Sequence, residues 1–287
     1  MRINNNITAI NSHRQYGINA GNIGRNMERL SSGFRVNRAA DDAAGLAISE
    51  KMRGQIRGLN QASRNSQDAV SLVQTAEGGM QTIQNILQRM RELAVQSGSD
   101  TNTTEDRAAL QLEFNQIRLE IDDIASTTEF NTMRLLGGAF GPGLPGAADG
   151  AASLTVQSGA NSDQTLQITI RSMTSTGLGV NEATLTGVNS AAYGTNSRLA
   201  IGIIDGALNS VSMARAHLGA MQNRLDFKIH NLNNQAENIA AAESRIRDAD
   251  MAQMMTEFTK NNILFQASTA MLAQANAQPQ SVLQLLG

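Results

Sequence analysis

Cysteine is absent from the 287 residues, which excludes a disulfide framework, a thiolate metal site and a cysteine nucleophile. Tryptophan is absent too, and two tyrosines with seven phenylalanines make up the whole aromatic content. A core must therefore be built from aliphatic side chains and from the 13 methionines, as helix packing permits. An excess of basic charge is also missing: the formal net charge is -2, which argues against nucleic acid as a partner, because phosphate binding needs a concentrated basic surface. No run of about 18 apolar residues occurs, so no segment is expected to span a membrane. The first residues, Met1 to Ile7, lack the apolar stretch of a secretory signal. The length allows one large domain or two to three small ones.

What the chain does have is periodicity. From Leu59, apolar or small residues recur at alternating steps of three and four: Ala62, Ser66, Ala69, Val73, Ala76, Met80, Ile83, Leu87, Met90 and Ala94. That is a heptad seam, which only a long helix packed on other helices can use. Uninterrupted from Asp41 to Gly98, such a helix would be roughly 85 Å long. Leu110, Phe114, Ile117, Ile121 and Ile124 repeat the spacing, and so do Ile204, Ala207, Val211, Ala214, Leu218, Met221, Leu225, Leu232 and Ile239. Lys228 and Gln235 fall on this last seam and mark a polar register point or a wet stretch. Three seams predict three helices sharing one core, with the chain going out, turning and coming back.

Local signals fill in the rest. Ile3 to Leu30 carries a weak helical period interrupted by glycine, with no acidic residue before Glu28. Ser31 to Arg38 reads as a connector. Asp41 and Asp42 suit the N-terminus of the long helix, and Gly98 is a candidate C-terminal cap. Gly45, Gly54, Gly58, Gly78 and Gly79 lie inside that helix, each costing about 1 kcal/mol relative to alanine, and dense helix packing is the expected compensation. Thr103 with Asp106 resembles a capping box. Gly137 to Gly150 reads as a linker. Leu154, Val156, Leu166, Ile168 and Ile170 alternate with polar residues, predicting two strands joined by Ser158 to Gln164, and Thr174 to Ser197 is loop-like. A last helix starts near Asp250. Its end carries no charge after Lys260, mirroring the nearly uncharged start of the chain, so both ends are expected to be buried together and to order on assembly.

No catalytic constellation accompanies this. His13, His217 and His230 stand apart, and HExxH, GxSxG and GxxxxGK[ST] are all absent. Asp122 with Asp123, and Glu105 with Asp106, read as a solvated helix face and a helix N-terminus. The expectation is a non-enzymatic assembling protein with no cofactor and no metal.

Several long motifs carry a resemblance: Leu30-Ser31-Ser32-Gly33, Asn37 through Ile48, Leu87-Gln88-Arg89-Met90-Arg91-Glu92-Leu93-Ala94-Val95-Gln96, Ala242 through Met251, and Met271-Leu272-Ala273-Gln274-Ala275-Asn276. On these the chain resembles bacterial flagellins. The resemblance implies a mainly α fold, a long antiparallel helical coiled-coil bundle built from both chain ends with a small β-hairpin region in the middle. It implies terminal helices over 1–33 and 248–287 forming an inner tube, connectors over 34–42 and 246–247, an outer-tube domain over 43–136 and 197–245, and a short variable insert over 137–196. The implied function is a self-polymerising filament subunit for swimming, exported unfolded by a type III apparatus without a cleaved signal. The implied partners are other copies, filament cap and hook–filament junction proteins, and a chaperone on the C-terminal segment. A host flagellin-sensing Toll-like receptor is a further implied partner, through Arg89, Leu93 and Glu113 with Gln88 and Gln96 nearby. Leu283, Leu285 and Leu286 match positions read by a cytosolic sensor and otherwise serve assembly. A hook–filament junction adaptor is the alternative reading.

Overall fold

The computed structural model describes residues 6–138, 151–185 and 193–286, with the backbone alone described at 151–152, 193–195 and 279–286. The chain divides into two compact units, one of residues 1–56 with 237–287 and one of residues 57–236.

In the first unit, helix α1 (Ile7–Ser32) lies antiparallel against helix α5 (Met251–Leu286). Asn6 caps α1 by accepting the Ala9 N–H, and the helix stops at Gly33, whose φ of 73° is the left-handed geometry glycine adopts freely. The pairing is partly polar: Asn6 Nδ2 donates to the Ala275 carbonyl at 2.7 Å and Asn19 Nδ2 to Ser268 Oγ at 2.6 Å. The Tyr16 and Phe265 rings lie 4.9 Å apart between them. The chain also meets itself beside these two helices. Phe34 forms a β-bridge with Asp248, the Arg35 N–H donates to the Arg247 carbonyl, and the Arg247 guanidinium sits 4.6 Å over the Phe34 ring.

Asp41 organises the turn that follows. Its carboxylate accepts from the Arg38 and Asn37 N–H groups and from the Arg29 guanidinium. The Arg38 bond is the largest influence; burial, the next, opposes it, and the Asn37 bond and the Arg29 guanidinium add to it, so that this carboxyl is held below its ordinary value of 3.8. Since the folded value is the lower one, the stabilisation is complete above the ordinary value and is lost as pH falls through the depressed one. Asp41→Asn is therefore expected to flatten the acid side of the stability curve below pH 3.8, measured as melting temperature against pH. An unchanged acid limb would remove Asp41 from the account.

Helices α2 (Ala43–Ser97) and α4 (Tyr193–Arg247), each of 55 residues, run through both units. Asp42 starts α2, its Oδ1 accepting the Gly45 N–H at 2.8 Å. In the second unit α2 is joined by α3 (Thr104–Thr127). Every seam residue from Leu59 to Ala94 is buried. Phe114 and Ile121 of α3 and Ile204, Ala207, Val211, Leu218, Met221, Leu225 and Leu232 of α4 are buried in the same way. Leu72 and Leu93 are buried beside the seam, so the stripe is wider than two positions per heptad, as in a globular bundle. Each large side chain moved from water into such a core contributes about 1.5–3 kcal/mol. Polar pairs set the antiparallel register of α2 on α4: Ser63 with Asn233, Arg215 with Gln84 and Glu77, and Arg91 with Asp205. Gln235 is exposed and Lys228 half-buried, so the seam is wet there.

Capping chemistry follows the sequence at one end of α3 and departs from expectation at the end of α2. Thr103 and Asp106 form a reciprocal capping box. Gly98 does receive the C-terminal hydrogen bonds, its N–H lying 3.1 Å from the Ala94 carbonyl, yet it is not among the residues with positive φ. Glycine is thus not required there by backbone angle.

Dense packing explains only some of the glycines inside α2. A Cβ on Gly79 would lie 2.8 Å from Leu136 Cδ1 and from Thr128 Oγ1, and one on Gly58 would lie 2.9 Å from Ala160 Cβ. At Gly54 and Gly78 a Cβ would meet nothing within 4 Å, so packing inside the chain does not account for them. Gly79→Ala is expected to destabilise by about 1–3 kcal/mol through overpacking, whereas Gly78→Ala is expected to stabilise by about 1 kcal/mol through helix propensity. Urea unfolding of the two variants checks this, and equal shifts would contradict it.

The middle of the chain forms two hairpins. Strands β1 (Glu129–Phe130) and β2 (Met133–Arg134) pair across Asn131 and Thr132, which both have positive φ, the geometry of a two-residue turn that follows strand twist. Behind it Leu135 and Leu136 are fully buried. Strands β3 (Ala151–Gln157) and β4 (Thr165–Arg171) pair from Ala151↔Arg171 to Gln157↔Thr165. The expected loop from Ser158 to Gln164 joins them, and Leu166, Ile168 and Ile170 turn their buried face into the core of the second unit.

The linker expected over Gly137 to Gly150 lies outside the described residues from 139 on. The loop expected from Thr174 to Ser197 is described up to Leu185 and from 193 on, and there it is not a free loop. Val180, Ala183 and Leu185 are buried, a short 3-10 turn spans Val180–Glu182, and α4 already begins at Tyr193. Side chains of α3 hold this segment in place. Asp122 accepts the Ser175 N–H and hydroxyl, Arg118 donates to the Asn181 carbonyl and side chain, and Gln111 accepts the Leu185 N–H.

Candidate interaction surfaces

Two surfaces stand out, and they differ in kind. In the first unit α1 and α5 bury little beyond Asn26, Met254 and Ala275 among their described side chains, while Ile7, Ile10, Ile18, Met27, Met251, Met255, Ile263, Leu264 and Met271 are exposed. Two helices that show water so many large apolar side chains have not finished burying them. Between them lies a shallow groove lined by Gln15, Asn19, Leu264 and Met271 among others. The sequence points to this face through the uncharged run after Lys260 and the acid-free run before Glu28.

In the second unit, the residues Gln88, Arg89, Leu93, Gln96 and Glu113 fall on α2 and α3. Arg89 bridges the two helices: its Nη2 donates to Glu113 Oε1 at 2.8 Å and its Nη1 to Glu92 Oε2 at 3.0 Å. The Glu113 hydrogen bond, then that of Glu92, makes the guanidinium harder to deprotonate than a free arginine. Because this network is exposed, it positions charge more than it stabilises. Gln88 and Gln96 are exposed alongside it. Leu93 is not on this surface. It is fully buried in the core cluster of the second unit, one turn from Arg89, and it acts on the patch through packing. The side chains of Leu283, Leu285 and Leu286 lie outside the described residues, on the backbone of α5.

Residues 3–140 match the model of the bacterial flagellin N-terminal helical region, and residues 201–286 match that of the C-terminal helical region. The chain belongs to the bacterial flagellin family. Full-length relatives agree: it is 54% identical over 286 residues to a flagellin of Halalkalibacterium halodurans, covering 100% of both chains. It is 49% identical over 286 residues to the flagellar filament 31.3 kDa core protein of Treponema maltophilum, again covering 100% of both. Among solved structures, a chain described as a flagellar hook-associated protein of Vibrio parahaemolyticus shares the fold at 13% identity, with a TM-score of 0.57, over 72% of this chain and 100% of that one.

Within the family fold, among the described residues no helix is long and apolar enough to cross a membrane, and no group of three or more His, Asp and Glu side chains could hold a metal ion. Sequence reasoning missed the clasp of Gln111, Arg118 and Asp122 on the segment after Met173. A usable signal was present: these polar residues recur at steps of seven and four and so line one face of α3. It also missed the pairs Ser49–Glu243 and Arg247–Glu50 that tie α2 to α4 in the first unit, which no local pattern announces.

Proposed function

We propose that this chain is the structural subunit of a flagellar filament, polymerising with copies of itself outside the cell to make the tube that converts motor torque into swimming. The observation that carries the reading is the contrast between the second unit, which buries a continuous apolar core, and α1 and α5, which bury little and leave nine large apolar side chains exposed. Burial of those faces between neighbouring copies offsets the cost of ordering the ends, which makes assembly cooperative. In this reading 1–33 and 248–287 form the inner tube, 34–42 and 246–247 the connectors, 43–136 and 197–245 the outer tube, and 137–196 the surface insert. Export unfolded through a type III apparatus, a chaperone on the C-terminal segment, and cap and junction proteins at the filament ends complete the set of partners.

Seeded polymerisation of the full chain beside a version lacking 1–33 and 248–287 tests this, read by electron microscopy. Long tubes from the full chain alone are expected. Short rings that stop on filament ends would favour the junction adaptor instead.

The exposed Arg89–Glu113 patch supports a second role as the ligand of a host flagellin-sensing Toll-like receptor, engaged by the monomer. Arg89→Ala is expected to weaken signalling in a receptor reporter assay, and unchanged signalling would discard the role. Leu93→Ala belongs in the same assay only with a stability control, because its side chain is core.

A further inference from the structure

A cavity of about 220 Å³ opens on the second unit between α2, β4 and α4. Met80, Ile170 and Leu218, all buried, line it together with Met213, which is 73% exposed, and Arg171 and His217, both exposed, lie among the remaining lining residues. Among the described residues the side chains of Arg171 and His217 take part in no hydrogen bond and no ion pair. An apolar cavity of roughly 150 Å³ accepts a benzene-sized group, so this one has room for a leucine side chain. An occupant with an apolar tip and acidic flanks matches both its lining and its charge.

The same chain carries such a group elsewhere. On α3, Leu119 is 53% exposed and is flanked by Glu120 and by Asp123 one turn on, all exposed to solvent. Neither carboxylate has a partner among the described residues. Two other exposed apolar residues of this unit fit less well. Leu112 adjoins Glu113, which is already engaged by Arg89. Phe227 is surrounded by Arg224, Lys228 and His230 as well as Asp226, the wrong charge for a rim carrying Arg171.

We propose that Leu119 of one copy, with Glu120 and Asp123, seats in the Met80–Ile170–Leu218 cavity of a second copy, its carboxylates facing Arg171 and His217. The proposal rests on the filament reading and names one of its contacts. Each copy offers one knob and one cavity at separate places, so the contact repeated head to tail, with a rotation that does not close on itself, extends as an open polymer.

Charge reversal tests it in the full-length protein. Arg171→Glu and Glu120→Arg are each expected to raise the critical concentration for polymerisation about tenfold, and the two together to bring it back to within about threefold of the parent. Both sites are exposed, and circular dichroism melting verifies that each variant folds. The absence of cysteine supplies an independent readout. Leu119→Cys protein mixed with Met213→Cys protein is expected to form a disulfide-linked pair in the polymer under mild oxidation, and Leu112→Cys mixed with Met213→Cys is not. Normal polymerisation of both single reversals, or loss without rescue and without the cross-link, overturns the contact while leaving the filament reading intact. Failure of the parent chain to polymerise overturns both.

Discussion

Replacing Ile10, Ile18 and Ile263 together with serine is expected to leave the folded chain intact and to abolish filament formation at micromolar protein. The three side chains are 64%, 50% and 61% exposed, and exposed positions of this kind change stability by no more than about 0.5 kcal/mol each. Once covered by a neighbouring copy, each isoleucine contributes about 1.5–3 kcal/mol. Even at the lower figure the loss is about 4.5 kcal/mol, or a rise of about a thousandfold in critical concentration. Sedimentation of polymer against total protein measures it, with circular dichroism of the monomer as the control. A triple variant that assembles at the parent's concentration would show that these faces stay wet in the polymer, and the proposed inner tube would have to be rebuilt on other residues.

The second large effect separates core from surface within one helix. Phe114 is fully buried in the core of the second unit, while Leu112, two residues earlier on α3, is 68% exposed. Phe114→Ala is expected to destabilise the second unit by about 3–5 kcal/mol, combining lost transfer energy with the cavity left behind. Leu112→Ala is expected to change it by less than about 0.5 kcal/mol. Guanidinium unfolding followed by helix signal distinguishes the two. Comparable effects would mean that α3 packs with a different face inward. Leu93 belongs with Phe114 in this respect, which is why a reporter assay on Leu93→Ala reads stability as well as recognition.

Much of the architecture was legible residue by residue. The seam from Leu59 to Ala94 specified which face of α2 is buried, because a heptad pattern has one solution on a helix. Leu154, Val156, Leu166, Ile168 and Ile170 specified a hairpin with one buried face, because side chains in a strand alternate. Thr103 and Asp106 placed the start of α3 by local hydrogen bonding alone. The candidate surface at the chain ends was legible as an absence of charge.

What escaped was whatever depends on meeting a residue distant in sequence. Val180 and Leu185 sit in a stretch that looks like a loop, and they are core because Asp122, Arg118 and Gln111 hold that stretch against the bundle. Gly78 and Gly79 are adjacent and alike in sequence, and only the presence of Leu136 and Thr128 beside one of them separates a packing requirement from open space. Leu93 and Arg89 share a motif and differ by one helical turn, yet one is core and the other solvent.

By itself, then, the sequence determined the helices, their buried faces, the hairpin and the family, because these follow from short-range periodicity and from motifs contiguous along the chain. Tertiary structure alone decided which loop joins the core, which glycine is crowded, and which apolar faces of α1 and α5 remain uncovered. Each of those is a relation between surfaces that are brought together only when the chain folds back on itself.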